Sequence, residues 1–156
     1  MTTVYLDASA LMIPAGIGAP AAGQRVVGVD CVPDHEADRM VDHLLECGHR
    51  VVLLGDDKTL DTAQAALPLA GRVALAPDGD LDAIDRDAVG WLISDSSERF
   101  AEARRHRRLK TVLIGASAYT TDLAHRPADR LARSLHDAVL GVLATEAMPA
   151  VASARR

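Results

Sequence analysis

RVVLLGDDKTLDTAQAALPLAGRVAL, residues 50–75, holds two short apolar runs, RVVLL (50–54) and RVAL (72–75), on either side of a polar stretch with a helical pattern from Lys58 to Leu67. Both runs are rich in Val and Leu, do not alternate with polar residues, and are bounded by turn residues. That is the pattern of a strand covered on both faces. The same unit recurs outward in both directions. Upstream lie VYL (4–6) and a helical pattern from Asp34 to Cys47; downstream come VGWLI (89–93), a helical pattern from Ser97 to Arg107, and KTVLI (110–114). A shorter, weaker helical pattern covers Leu81 to Arg86. A closing amphipathic one runs from Ala128 to Glu146, with Leu131, Leu135, Val139 and Val142 on one stripe. Strand and helix alternate throughout, which predicts a parallel sheet with helices on both faces. The expected fold class is α/β, a Rossmann-like three-layer sandwich with a five-stranded, mainly parallel sheet.

The 156 residues suffice for one domain, expected over 1–147 with a flexible tail at 148–156. One Trp, two Tyr and one Phe oblige the core to be built mainly from Ala, Val and Leu. A formal charge of -5 argues against bulk attraction to nucleic acid or to an anionic membrane. Cys31 and Cys47 have neither the number nor the spacing of a disulfide framework or a zinc site and read as reduced core thiols; the six His include no HExxH pair. With no basic leader and no long apolar stretch, the expectation is a cytoplasmic protein without a membrane span. The segment MIPAGIGAPAAGQRVVGV (12–29) is rich in Gly, Ala and Pro and reads as a loop or small hairpin that covers the strand ends.

In a sheet of this kind ligands sit beyond the carboxyl ends of the strands. The residues to inspect are therefore Asp7, Gly55 with Asp56 and Asp57, Ala76 with Pro77, Ser94 with Asp95, and Gly115. If the first and fourth strands are neighbours, Asp7 and Asp95 come within reach of one cation. Mg2+ suits such a pair, since it takes a few carboxylate or carbonyl oxygens and keeps several waters. The alternative is structural: an aspartate at a strand end caps the next helix or satisfies loop amides.

The order and spacing of YLDASAL, ECGHRVVLLGDD, LAPDGDLDAI, WLISDSSERFAEARRHRRLKTVLIG and ADRLARSLHDAVLGVL resemble the haloacid dehalogenase superfamily, over most of the chain. The resemblance implies descent from Mg2+-dependent phosphohydrolases. It places Asp7 in the position of the nucleophile, while Ser9 replaces the aspartate that serves as general acid and base; the Ser9 carbonyl could still join Asp7 and Asp95 as a metal ligand. Gly55, followed by Asp56, stands where a phosphate-binding hydroxyl is usual, so that only a backbone amide remains for substrate. Ala76-Pro77 stands where a lysine is usual, and neither Lys58 nor Arg72 is at the matching place. In the fourth motif Asp95 matches one acid, while Arg99, beside Glu98, occupies the place where a second is often found. A hydroxyl is a poor proton shuttle near neutral pH, and each lost donor or cation weakens transition-state stabilisation. The resemblance, with these departures, implies weak or lost catalysis and a binding or regulatory role. An active phosphatase using Asp7 is the alternative.

YLDASAL and AVGWLISDSSERFAEA also resemble PIN-domain ribonucleases, in which several acids hold Mg2+ and activate water. Glu36 or Glu46 and Asp95 would then join Asp7. Against this, the middle of a PIN domain is mainly helical, whereas residues 50–54 and 72–75 read as strands. The basic cluster Arg104, Arg105, His106, Arg107, Arg108 and Lys110 reads as solvated charge at a helix end, without the interleaved aromatics that a nucleic-acid surface uses. The short cover at 12–29 stands in place of a large cap domain, which leaves the site open to a protein partner or to a second copy of the chain.

Overall fold

The computed structural model describes residues 2–14, 31–69, 71–76, 89–103, 105, 108–115 and 128–148. Among the described residues six parallel strands make the main sheet: β1 (Thr3–Asp7), β4 (Arg50–Leu54), β5 (Ala74–Ala76), β6 (Gly90–Ser94), β7 (Leu109–Ile114) and β8 (Arg130–Ala132), in the spatial order β5-β4-β1-β6-β7-β8. A separate two-stranded antiparallel ribbon joins β2 (Met12–Pro14) to β3 (Cys31–Pro33). The helices are α1 (Ala37–Glu46), α2 (Asp57–Ala66), α3 (Ser97–Ala103) and α4 (Leu135–Ala147).

Side chains of the central strands alternate between two apolar layers. Val4, Leu6, Val51, Leu53, Trp91, Ile93 and Val112 face a core shared with α1, α2 and α4. Val52, Leu54, Leu92 and Leu113 face the opposite side and pack on Phe100 and Ala103 of α3. Helices therefore cover both faces, which is why the runs at 50–54 and 89–93 carry no polar alternation. The α1 stripe Ala37, Met40, Val41 and Leu44 has the i, i+3, i+4, i+7 spacing of a buried helical face. α1 then ends in a Schellman turn: His49 N–H donates to the Leu44 carbonyl at 3.0 Å, Gly48 N–H donates to that of Leu45 at 2.9 Å, and Gly48 takes φ of 82°. Cys47 sits at this reversal and is exposed, so it is not the core thiol expected of it.

One strand more than expected is present, and it comes out of the closing helical pattern. Residues 130–132 are an edge strand, and the helix begins only at Leu135. Two local features decide this. Thr111 and Asp129 bind each other reciprocally: Thr111 N–H and Oγ1 donate to Asp129 Oδ2 at 2.8 and 3.0 Å, and Asp129 N–H donates to Thr111 Oγ1 at 2.9 Å. This sets the chain alongside β7 in the register Val112↔Arg130. Ser134 then caps α4 by accepting from Asp137 N–H at 3.1 Å, which fixes the helix start. Arg130 holds the helix to the strand through the Gly141 carbonyl (2.6 Å) and Thr145 Oγ1 (2.8 Å).

α3 spans Ser97–Ala103; Arg104, His106 and Arg107, which the helical pattern included, lie outside the described residues. The helical pattern at 81–86 and residues 15–29 of the covering segment lie outside the described residues; the first residues of that segment, Met12–Pro14, form β2 and pair with β3 just beyond it. In the middle of the sheet, Gly90 lies so close to β1 that a Cβ there would stand 2.2 Å from the Thr3 carbonyl oxygen. Among the described residues no helix is long and apolar enough to cross a membrane.

Candidate active-site crevice

The chain steps from β1 outward through β4 to β5, then re-enters the sheet at β6, on the other side of β1. Such a reversal leaves a crevice beyond the carboxyl ends of the strands that flank it. A cavity of about 260 Å³ lies there. Asp7 and Ser9 from the end of β1, Gly55, Asp56 and Thr59 from the β4–α2 junction, and Ser96, Glu98 and Arg99 from the β6–α3 junction form its wall.

Asp7 is the buried member, 4% exposed. It precedes a single 3-10 turn (Ala8–Leu11) but makes no side-chain cap bond to it, so the capping explanation fails for this residue. Instead Ser94, fully buried at the end of β6, donates its hydroxyl to Asp7 Oδ2 at 2.5 Å while accepting from Ser96 N–H at 3.0 Å. The Arg99 guanidinium approaches the same oxygen, with Nε 3.3 Å away. Both partners act on Oδ2; among the described residues none bonds Oδ1. Burial raises the Asp7 carboxyl above the usual carboxylate range. The Ser94 bond and the Arg99 charge pull it down without cancelling that effect, and the Asp95 charge adds to the rise.

Ser9 Oγ donates to Asp95 Oδ1 at 2.7 Å. The first and fourth strand ends thus meet as β1 and β6 pair side by side. Asp95 is exposed and reaches the site through Ser9; it is not part of the cavity wall. Asp56 is on the wall and also caps α2, accepting from Thr59 N–H at 2.7 Å. Four residues expected at the site, Asp7, Ser9, Gly55 and Asp56, therefore line one cavity. Sequence reading gave no role to Thr59 or Ser96, and it noted Ser94 and Arg99 only for their places at the end of β6 and four residues after Asp95.

Other candidates lie elsewhere. Arg72 is held by Asp38 (3.3 Å) and Asp42 on α1 and by the Pro68 carbonyl (3.1 Å), so it does not reach in. Lys58 is exposed and off the wall; Ala76 ends β5, and Pro77 is outside the described residues. Glu36 pairs with His136 on α4 at 3.2 Å and Glu46 is exposed beside His43, so neither joins Asp7. Of the basic cluster, Lys110 lies near the amino end of β7, the end of the sheet opposite the crevice, with Nζ 4.9 Å from the Trp91 ring centroid. Among the described residues no group of three or more His, Cys, Asp or Glu side chains is assembled to hold a metal. The donor set is a poor fit for Mg2+. Of the expected donors, Asp7 is already paired with a guanidinium and Asp95 with a hydroxyl.

No family model matches the chain, and no curated protein sequence matches it. Among solved structures, the D,D-heptose 1,7-bisphosphate phosphatase from Burkholderia thailandensis is similar, with a TM-score of 0.60 and 17% identity over 92% of this chain and 99% of that one. At this identity the likeness speaks to the fold alone, a Rossmann-like α/β fold.

Proposed function

We propose that this chain derives from Mg2+-dependent phosphohydrolases and keeps their crevice, with catalysis weak or lost and a binding or regulatory role in its place. The observation that carries the reading is the Ser9–Asp95 hydrogen bond. The residue two positions after Asp7 has no carboxyl to move a proton, and its hydroxyl proton is committed to Asp95. Absence of a positioned general acid–base costs on the order of 10²–10⁴-fold in rate. The missing lysine and hydroxyl, at Ala76 and Gly55, add to that loss. Asp7, Asp95 and the Ser9 carbonyl would hold Mg2+ only weakly in this reading.

Turnover of an aryl phosphate in the presence of Mg2+ tests the proposal. It should be barely above background and unchanged by Asp7→Asn. Robust turnover abolished by that substitution would establish the second reading, an active phosphatase with Asp7 as nucleophile. One observation favours that alternative: Ser94 and Arg99 both bind Oδ2 of Asp7 and leave Oδ1 directed to no protein donor among the described residues. The ribonuclease reading loses support, because 50–54 and 74–76 are parallel strands and Glu36 and Glu46 are engaged away from Asp7.

The proposal takes the chain as one domain over 1–147, cytoplasmic, with the open crevice and the segment 12–29 as the surface for a protein partner or a second copy. Ile13, Ile17, Val26 and Val27 make that segment apolar beside its Gly and Pro.

A further inference from the structure

We infer that Arg99 is the built-in cation of the crevice and, by holding the Asp7 carboxylate, keeps a divalent ion from binding there tightly. The inference rests on the reading of Asp7 as the centre of the site, but on its electrostatics and not on any activity. Asp7 is almost fully buried at the floor, where an unpaired carboxylate would be costly. Ser94 supplies one hydrogen bond, which cannot neutralise a charge. The charge is met by Arg99, whose Nε lies 3.3 Å from Oδ2 and whose side chain is 24% exposed, so solvent screens the pair only in part.

Among the described residues, the other charged groups on or joined to the crevice wall are acids. Asp56 and Glu98 are on the wall, and Asp95 is joined to it through Ser9. A small cation would otherwise be drawn to such a place. A divalent ion bound to Asp7 would have to sit within a few ångströms of the guanidinium, and the repulsion between them weakens binding by at least about tenfold. Arg99 comes from the first turns of α3, a packed helix, with Phe100 next to it buried in the core; it is held at the site by the fold.

Mn2+ is a suitable probe because it broadens the NMR signals of nearby amides. In the wild-type protein, broadening at Asp7, Ser9 and Asp95 should need millimolar Mn2+. Arg99→Gln removes the charge and keeps the polarity; it should bind at least about tenfold more tightly, with broadening centred on the same residues. Asp7→Asn added to that variant should abolish the gain. Arg99→Lys retains the charge and should stay as weak as wild type. Equal affinity in wild type and Arg99→Gln, or a gain shared by Arg99→Lys, would overturn the inference, as would micromolar binding at Asp7 in the wild type. If Arg99→Gln is unfolded alone, Mn2+ should fold it by supplying the missing counter-charge, read by circular dichroism; failure to do so also overturns the inference. None of these readouts depends on turnover, so the phosphatase assay can fail or succeed separately.

Discussion

Replacing Asp7 by Asn removes a charge that the crevice buries, the one buried charge among the described residues, and the variant should be more stable than wild type at neutral pH. An ionised carboxylate at this depth loses several kcal/mol of hydration. The Ser94 hydroxyl, bonded to a charged acceptor, returns roughly 1.5–3 kcal/mol. The partly exposed Arg99 pair returns about 1 kcal/mol. These do not cancel the cost, in keeping with the raised carboxyl pKa. Asn gives up the ion pair, keeps a neutral bond to Ser94 worth about 1 kcal/mol, and has no charge to desolvate. The net gain is about 1–2 kcal/mol at neutral pH. At 2–4 °C per kcal/mol, that is a Tm increase of roughly 2–8 °C.

The pH dependence has a definite sign. The folded carboxyl holds its proton more tightly than the unfolded one. Folding therefore takes up a proton between the unfolded value, about 4, and the raised folded value. Wild-type stability contributed by this group falls as pH rises through that window and is level above it. Below it both forms of Asp7 are neutral, and the two proteins should converge. Urea unfolding of both across pH, with midpoints compared at equal m-values, isolates Asp7 because every other group titrates alike in the pair. A destabilised Asn variant at neutral pH, or a difference that does not change with pH, would refute the reasoning.

Gly90→Ala should cost about 3 kcal/mol, read as a lower urea midpoint, because its Cβ would stand 2.2 Å from the Thr3 carbonyl oxygen across the β1–β6 ladder; a change within the error of the measurement would show that the strands can part. Ile17→Glu should shift the protein toward monomer in size-exclusion chromatography with light scattering while leaving its circular dichroism unchanged; a wild type that is monomeric at all concentrations removes the case for self-association through 12–29.

The strands at 50–54 and 90–94 were legible because burial on both faces demands continuous apolar runs, and the sequence has them between turn residues. β8 was not, for a specific reason. Leu131 and Leu135 are four residues apart, a helical spacing, while pairing with β7 through Thr111 and Asp129 is a long-range contact that no local pattern reports. A signal was present all the same: Ser134 and Asp137 have the spacing of a helix start, and both serve there. At the crevice, Asp7, Gly55 and Asp56 were legible from their places at strand ends, and Ser9 only through the family resemblance. The roles of Ser94 and Arg99 depend on which strand lies beside β1 and which way a helix side chain turns. Only the assembled sheet supplies that information.

Of the strands described in this sheet, β1 is made before the others, and it lies inside the sheet, where Thr3 pairs with Arg50 on one side and Gly90 on the other. At the usual pace of synthesis, its second neighbour leaves the ribosome on the order of 5–20 s after β1. Until then β1 has an open edge and an apolar surface, in a topology whose contacts are far apart in sequence and therefore slow to close. The yield of folded protein should thus depend on temperature, on translation speed and on chaperones that shield a waiting strand. These are kinetic quantities that the equilibrium stability of the finished sheet does not report.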